Sequence, residues 1–86
     1  MNPALAQAVR LAPVVEKVHG AHHPELTHVR ELTQAIAGTT DDARLAEYYS
    51  ELRTVTDNYT VPEDACEGFT SHYRALQESE QTWMDR

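Results

Sequence analysis

The 86-residue sequence is poor in residues that mark several protein classes. It contains one cysteine, three glycines, one phenylalanine and one tryptophan. A single cysteine excludes an internal disulfide, and no apolar run approaches the roughly 18 residues of a membrane span. The start MNPALAQAV has neither a basic region nor a long apolar core, so we expect a cytoplasmic protein. No glycine-rich phosphate loop, Ser–His–Asp arrangement or paired-carboxylate spacing is visible, and we expect no enzyme.

Basic residues are scarce as well. The chain has 7 Lys and Arg against 14 Asp and Glu, which gives a formal net charge of −7. Residues 1–40 are balanced, and the acidic excess lies in residues 41–86. Because such a surface repels phosphates, we expect neither nucleic acid nor a membrane as a partner. The simpler role of the acidic excess is to keep a small protein in solution.

Apolar residues recur at helical spacing along almost the whole chain, and no sustained alternation indicates strands. Connections of about three to five residues between these stretches favour an antiparallel bundle. We therefore predict an all-α fold, a short antiparallel four-helix bundle that forms one domain over residues 1–86. The helices are expected over roughly Pro3 to His19, over about Pro24 to Ala37, from a Thr40 cap with an apolar stripe reaching Tyr59, and from Pro62 towards the chain end.

Several single residues carry local expectations. Gly20 can adopt the left-handed conformation that closes a helix, and Val18 lies on the apolar stripe of the first helix. Glu80 falls on the stripe of the fourth helix, where a carboxylate needs a hydroxyl, an arginine or water as a partner. We expect Cys66 to be a small buried core thiol, and we expect no Cys–His pair because His72 lies off its helical face.

The stretch VHGAHHPEL concentrates histidine, with His19 three and four positions before His22 and His23, and with Glu25 behind them. On a continuous helix, this spacing would bring imidazoles and a carboxylate onto one metal ion. The glycine and the proline in the same stretch favour a helix boundary, where histidines cap, pack or face solvent. His19, His22, His23 and Glu25 are therefore candidate metal ligands, within one chain or across a dimer, beside that structural interpretation.

Two segments resemble a known family. KVHGAHHPEL (17–26) is similar to the segment that joins the first two helices of the hemerythrin-like di-iron domain of iron–sulfur cluster repair proteins. ELRTVTDNYTVPEDACEGFTSHYRALQESE (51–80) is similar to the stretch of that family from the third helix into the fourth. The resemblance implies a four-helix bundle that holds two irons and serves the repair of clusters damaged by nitrosative or oxidative stress.

The ligand positions that the resemblance implies are not filled in this chain. The first-helix histidine would precede Met1, and the second helix ends at Gly38 before its His-x3-Glu pair. Asp42 stands at the third-helix histidine, and Arg86 stands at the fourth-helix histidine. Because these positions share one end of an antiparallel bundle, the resemblance implies a bundle without its metal-binding end and without a resident cofactor.

Two functions of different classes follow as expectations. In the first, the bundle acts by protein binding or self-association. Its open end is then expected to expose apolar and aromatic surface near Trp83, with homodimerisation through that end as the corollary. In the second, the histidine cluster holds iron, alone or across a dimer, and serves cluster repair. A third possibility is a fragment of a longer di-iron protein.

Overall fold

Four α-helices account for most of residues 2–86, the part of the chain that the computed structural model describes. No strand occurs in these residues, so the all-α prediction is confirmed. None of the helices in this range is both long enough and apolar enough to cross a membrane. The helices are α1 (Pro3–His19), α2 (Glu25–Ala37), α3 (Asp42–Val55) and α4 (Glu67–Met84).

Side-chain caps set the starts of α1 and α3. Asn2 Oδ1 accepts a hydrogen bond from the Leu5 amide at 2.7 Å, and Asp41 Oδ1 accepts one from the Ala43 amide at 2.9 Å. Each bond satisfies an amide that has no partner within its own helix. The expected cap at Thr40 is wrong, because the carboxylate of Asp41 takes that position.

The end of α1 differs from the prediction in one respect. The helix runs through Pro13 to His19 without a break. Gly20 keeps right-handed angles, φ −59° and ψ −28°, and its amide still donates to the Glu16 carbonyl. The left-handed ending expected at Gly20 is therefore wrong. The predicted helix boundary itself is confirmed, since a turn occupies residues 20–22.

Left-handed backbone occurs instead after α3. Asp57, Asn58 and Tyr59 have φ angles of 53°, 57° and 61°. The Asn58 amide donates to the Arg53 carbonyl at 2.7 Å. This hydrogen bond ends α3 with residues in the left-handed conformation, as is common at the C-termini of helices. The sequence predicts Tyr59 on the apolar stripe of α3. The helix ends at Val55, and Tyr59 is instead buried from its position in this left-handed turn.

The start of α4 lies later than predicted. Pro62 begins a turn, in which its carbonyl accepts a hydrogen bond from the Ala65 amide at 3.1 Å. Cys66 is the N-cap, with extended angles of φ −79° and ψ 175°, and its Sγ accepts from the Phe69 amide at 3.5 Å. The expected helix start at Pro62 is wrong, because extended backbone at Cys66 cannot belong to a helix.

The core lies between the inward faces of the helices. α1 packs closely against α4 and α2, and α3 packs against α2. The radius of gyration is 11.8 Å, close to the roughly 12 Å of a compact chain of this length, so the molecule is a compact helical bundle. The antiparallel order of its helices stays a prediction. The largest fully buried side chains include Tyr49, Tyr73, Phe69, Leu26, Ile36, Leu52 and Leu76.

Val18 does not lie in this core, although the stripe of α1 predicts it there. Its side chain is 64% exposed. His19 takes the inward position instead, with its ring centroid 5.2 Å from that of Phe69. The apolar face of α1 therefore ends at Val15, and Val18 faces outward.

Candidate functional site

Five polar side chains meet at one corner of the bundle, which we call the histidine corner. It forms where the end of α1, the start of α2 and the loop before α4 come together. Its contacts join residues 41 and 47 positions apart in the chain, so helix packing assembles the cluster. Its members are His19, His23, Glu25, Asp64 and Cys66.

His19 and Cys66 pair across this corner, with His19 Nε2 3.0 Å from Cys66 Sγ. Cys66 is exposed, so the expected buried thiol is wrong. Its exposure accompanies its role as the N-cap, in which Sγ accepts from the Phe69 amide in the first turn of α4. The expected absence of a Cys–His pair is also wrong, because the partner comes from α1 and is not His72.

His23 lies between two carboxylates. Its Nε2 is 2.9 Å from Asp64 Oδ2, and its Nδ1 is 3.2 Å from Glu25 Oε2. The hydrogen bond to Asp64, with help from Glu25, raises the pKa of His23 above its ordinary value although desolvation opposes the shift. The same pair lowers the pKa of Asp64. His23 thus ties the start of α2 to the loop before α4.

Phe69 forms the apolar floor of the histidine corner. It is fully buried, and the rings of His19 and His23 stand against it edge to face, with centroids 5.2 and 5.3 Å away. Such pairs contribute about 0.5–1.5 kcal/mol each beyond their area burial. The packing holds both imidazoles where they reach Cys66 and Asp64.

The four candidate metal ligands are not all brought together. His19, His23 and Glu25 lie in the histidine corner, whereas His22 is exposed in the turn before α2. Among residues 2–86, no group of three or more His, Cys, Asp or Glu side chains is placed to share a metal ion. The two imidazoles are bonded to different partners. This geometry gives no support to iron binding by His19, His22, His23 and Glu25, which stays a prediction.

His72 lies apart from the histidine corner. It belongs to α4, and its side chain lies in the core of the bundle. It is 1% exposed, and neither ring nitrogen has a hydrogen-bond partner within residues 2–86. Burial lowers the pKa of His72 to about 4, so the ring is neutral near pH 7. An unpaired polar group in a core costs about 1–3 kcal/mol, which makes His72 a weak point of the fold.

Glu80 is a buried carboxylate with two partners. It is 5% exposed, and Oε1 accepts a hydrogen bond from the Tyr59 hydroxyl at 2.7 Å while Oε2 pairs with Arg53. The prediction that Glu80 meets a hydroxyl or an arginine is confirmed. The left-handed turn explains the contact, because it carries Tyr59 back from the end of α3 towards α4.

Trp83 packs against neighbouring side chains at one end of the bundle. The indole ring stacks on Tyr49 with centroids 5.4 Å apart, and its N–H donates to Asp42 at 3.2 Å. The Arg86 guanidinium lies 4.9 Å from the ring centroid on Trp83. Trp83 is therefore partly buried, and the aromatic surface expected at this end is only partly exposed. Met84, 60% exposed, is a large apolar side chain that does face solvent there.

Two further exposed apolar side chains lie on α1. Val14 is 57% exposed and Val18 is 64% exposed, one helical turn apart. Arg10 and Lys17, both exposed, lie at helical spacing beside them. We call Arg10, Val14, Lys17 and Val18 the α1 face.

The outward side of α3 carries an open groove of about 530 Å³. Glu47 and Glu51 lie one helical turn apart along it, and the half-buried Tyr48 lies between them in sequence. The groove is therefore aromatic and acidic. We call it the α3 groove; it is lined by Ala46, Glu47, Tyr48, Ser50 and Glu51.

Sequence reasoning misses Asp64 and the pairing of Cys66. Both stand in VPEDAC, directly before α4, and their partners are more than 40 positions away. A cap at Cys66, had it been recognised, would have placed this segment at the bundle end where α1 stops. The sequence signal that could have located Asp64 and Cys66 is therefore the N-cap at Cys66.

No family model matches the chain, and neither the curated proteins nor the solved structures compared with it give a match. The resemblance to iron–sulfur cluster repair proteins accordingly stays a prediction.

Proposed function

We propose that the protein acts by self-association, as a helical-bundle relative of the iron–sulfur cluster repair proteins without a complete di-iron site. The contact joins the α1 face of one copy to the α3 groove of a second copy. The exposed pair Val14 and Val18 carries this proposal.

The α1 face supplies the apolar part of the contact. Burying a valine side chain fully is favourable by about 1.5 kcal/mol or more relative to leaving it exposed. Val14 and Val18 are each more than half exposed, and a knob of this kind fits against an aromatic groove. Tyr48, half-buried in the α3 groove, supplies such a surface.

Charge selects the partner of the α1 face. Arg10 and Lys17 flank the two valines, whereas Glu47 and Glu51 line the α3 groove. Two α1 faces would bring like charges together, which opposes a symmetric contact between them. A second copy offers the acidic groove, in a chain of net charge −7.

The contact is heterologous, because two different surfaces meet. After the first contact, one copy keeps a free α3 groove and the other keeps a free α1 face. Such contacts form rings if the rotation closes and open chains if it does not. We therefore expect oligomers larger than dimers at high concentration.

Sedimentation velocity over about 10 µM to 1 mM tests the proposal. This concentration range suits the weak affinity expected of a contact with few large buried side chains. We expect the weight-average sedimentation coefficient to rise with concentration, and to rise less in about 0.5 M salt because screening weakens the charge contacts. The double variant Val14→Thr/Val18→Thr should remain monomeric. Met84→Thr, which trims an exposed apolar side chain at the other bundle end, is the matched control and should associate like the parent.

Charge reversal provides the second arm. Lys17→Glu should weaken association, and Lys17→Glu combined with Glu47→Lys should restore it. A monomer throughout the concentration range would overturn the proposal. Loss of association in Met84→Thr but not in the valine variant would move the contact to the Trp83 end and would also overturn it.

A further inference from the structure

A cavity of about 290 Å³ lies beside the histidine corner, and we call it the Tyr73 cavity. It opens between the start of α2, the end of α3 and the loop before α4. Its volume is close to the lower limit of small-molecule sites, about 300 Å³. The lining residues that matter below are Tyr73, Val55, Pro62, Glu25, Asp57 and His23.

Tyr73 forms the inner wall of this cavity. Its side chain is only 2% exposed, yet it lines the open space. The hydroxyls of Tyr49 and Tyr59 bond to Ser79 and Glu80, whereas the Tyr73 hydroxyl forms no hydrogen bond within residues 2–86. Of the side-chain atoms described, only the two ring nitrogens of His72 are both buried and without a partner, so the Tyr73 oxygen reaches the open space of the cavity. The Tyr73 hydroxyl is therefore available to a ligand that enters the Tyr73 cavity.

The charge around the cavity is negative. Glu25 and Asp57 both line it, and no Lys or Arg of residues 2–86 does. The salt bridge of Glu25 with His23 uses Oε2, so Oε1 is free to accept hydrogen bonds. His23 adds a positive charge when protonated, but Asp64 and Glu25 both neutralise it. Burial and the charge of Glu25 raise the pKa of Tyr73 to about 12.

Left-handed backbone holds one of these carboxylates beside the cavity. Asp57 has φ 53°, in a conformation that costs a non-glycine residue roughly 1–2 kcal/mol. The turn is fixed by hydrogen bonds from the Thr60 amide to the carbonyls of Thr56 and Asp57 at 3.1 and 3.3 Å. The backbone position of Asp57 beside the cavity is therefore set by the turn itself.

From these features we infer that the Tyr73 cavity binds a primary alkylammonium group. The ammonium donates hydrogen bonds to the Tyr73 hydroxyl and to the carboxylates of Glu25 and Asp57. The alkyl chain lies against Val55 and Pro62. An anion is repelled by the two carboxylates, and a neutral alcohol lacks the charge that would compensate for desolvating them.

The same chemistry occurs in a free alkylamine and in a lysine side chain of another protein. n-Butylammonium represents the first source, and Nα-acetyl-lysine amide represents the second. Butyrate and n-butanol are the matched anionic and neutral probes. Binding of n-butylammonium alone assigns the site to a free amine. Equal binding of the lysine derivative assigns it to a lysine side chain. Both results support an ammonium site.

Titrations of the ¹⁵N-labelled protein, followed by amide chemical shifts, test the inference. We expect n-butylammonium to give saturable shifts at residues 55–57, 60 and 73 with about millimolar affinity, because the ligand has few atoms. n-Butanol and butyrate should bind at least about tenfold more weakly. Tyr73→Phe removes only the unpartnered hydroxyl and should weaken n-butylammonium about tenfold, the effect of one hydrogen bond to a charged group.

Two variants separate the site from a general attraction of cations to an acidic protein. Asp57→Asn should weaken binding several-fold, while Glu78→Gln, which neutralises an exposed carboxylate of α4 that does not line the cavity, should leave it unchanged. The inference is overturned if no shift saturates, if n-butanol binds as well as n-butylammonium, or if Tyr73→Phe, with its spectrum otherwise intact, binds like the parent.

Discussion

The Nε2 atom of His19 lies 3.0 Å from the Sγ atom of Cys66, which joins the last residue of α1 to the cap of α4. One exposed sulfur thus has two structural partners, the imidazole and the Phe69 amide. Loss of the sulfur would leave that amide without its side-chain acceptor.

Replacement of Cys66 should therefore reveal its capping role. We expect Cys66→Ala to lower the free energy of unfolding by about 1 kcal/mol, the usual effect of losing a cap, and Cys66→Ser to have a smaller effect because serine is a good cap. Urea unfolding followed by circular dichroism measures both. Equal stabilities of the alanine and serine variants would contradict the role. Separately, iodoacetamide should alkylate the folded parent protein completely, since the thiol is exposed.

The pair of Tyr59 and Glu80 should be coupled in stability. We expect a double-mutant cycle of Tyr59→Phe and Glu80→Gln to give an interaction energy of about 1 kcal/mol, because Tyr59→Phe removes the hydrogen bond to the carboxylate and Glu80→Gln replaces the charged acceptor with a neutral amide oxygen. Chemical unfolding of the four proteins provides the measurement.

Tyr73→Phe is the natural control for that cycle. It deletes the same phenolic oxygen from an equally buried ring, but this hydroxyl has no partner within residues 2–86. Its effect on stability should stay within about 0.5 kcal/mol. A cycle that shows no coupling, or a Tyr73→Phe variant as unstable as Tyr59→Phe, would be inconsistent with the contacts described.

His72 should make the protein sensitive to acid. Its folded-state pKa is about 4, against an ordinary value of 6.5. The unfolded chain therefore takes up a proton first as the pH falls, so stability is full above pH 6.5 and declines towards pH 4. We expect a loss of about 3 kcal/mol over this window, which corresponds to the size of the pKa shift. Stability measured from pH 7 to 4 in the parent and in His72→Leu should show a difference that changes by this amount.

Other groups titrate in the same window, and the variant comparison removes them. Hydrogen bonding raises the pKa of His23, so its contribution is present at low pH and is lost as the pH rises through its folded-state pKa. The pKa values of Asp64, Glu16 and Asp42 are lowered, so their contributions are lost on acidification. All four remain in His72→Leu. Parallel pH profiles of the two proteins would rule out the assigned role of His72.

Helical periodicity was enough to predict the four helices and most of the core. The stripe of α1 failed only at Val18, where the inward position falls to His19 because its ring packs on Phe69. Proline misled the prediction for α4, since Pro62 suits a turn as well as a first helical turn. Glycine misled it too, because left-handed backbone occurs at Asp57 and its neighbours instead of at Gly20.

The candidate sites were harder to foresee, for a physical reason. Local patterns report on one element, whereas His19 meets Cys66, and Glu25 meets the Tyr73 cavity, only after the elements pack. The partner of Glu80 was foreseeable as a type, because a buried carboxylate requires one. The identity of that partner depends on the left-handed turn at residues 57–59, which contains no glycine that would mark the turn in the sequence.

α3 is anchored less deeply than the other helices, since its buried residues are Tyr49 and Leu52. Local opening free energies follow such differences in burial, so this helix belongs to the least protected part of the bundle. A second copy docked on the α3 groove would bind only the closed form of the helix. By mass action, a higher concentration of the protein would then stabilise the closed form of α3 in each copy.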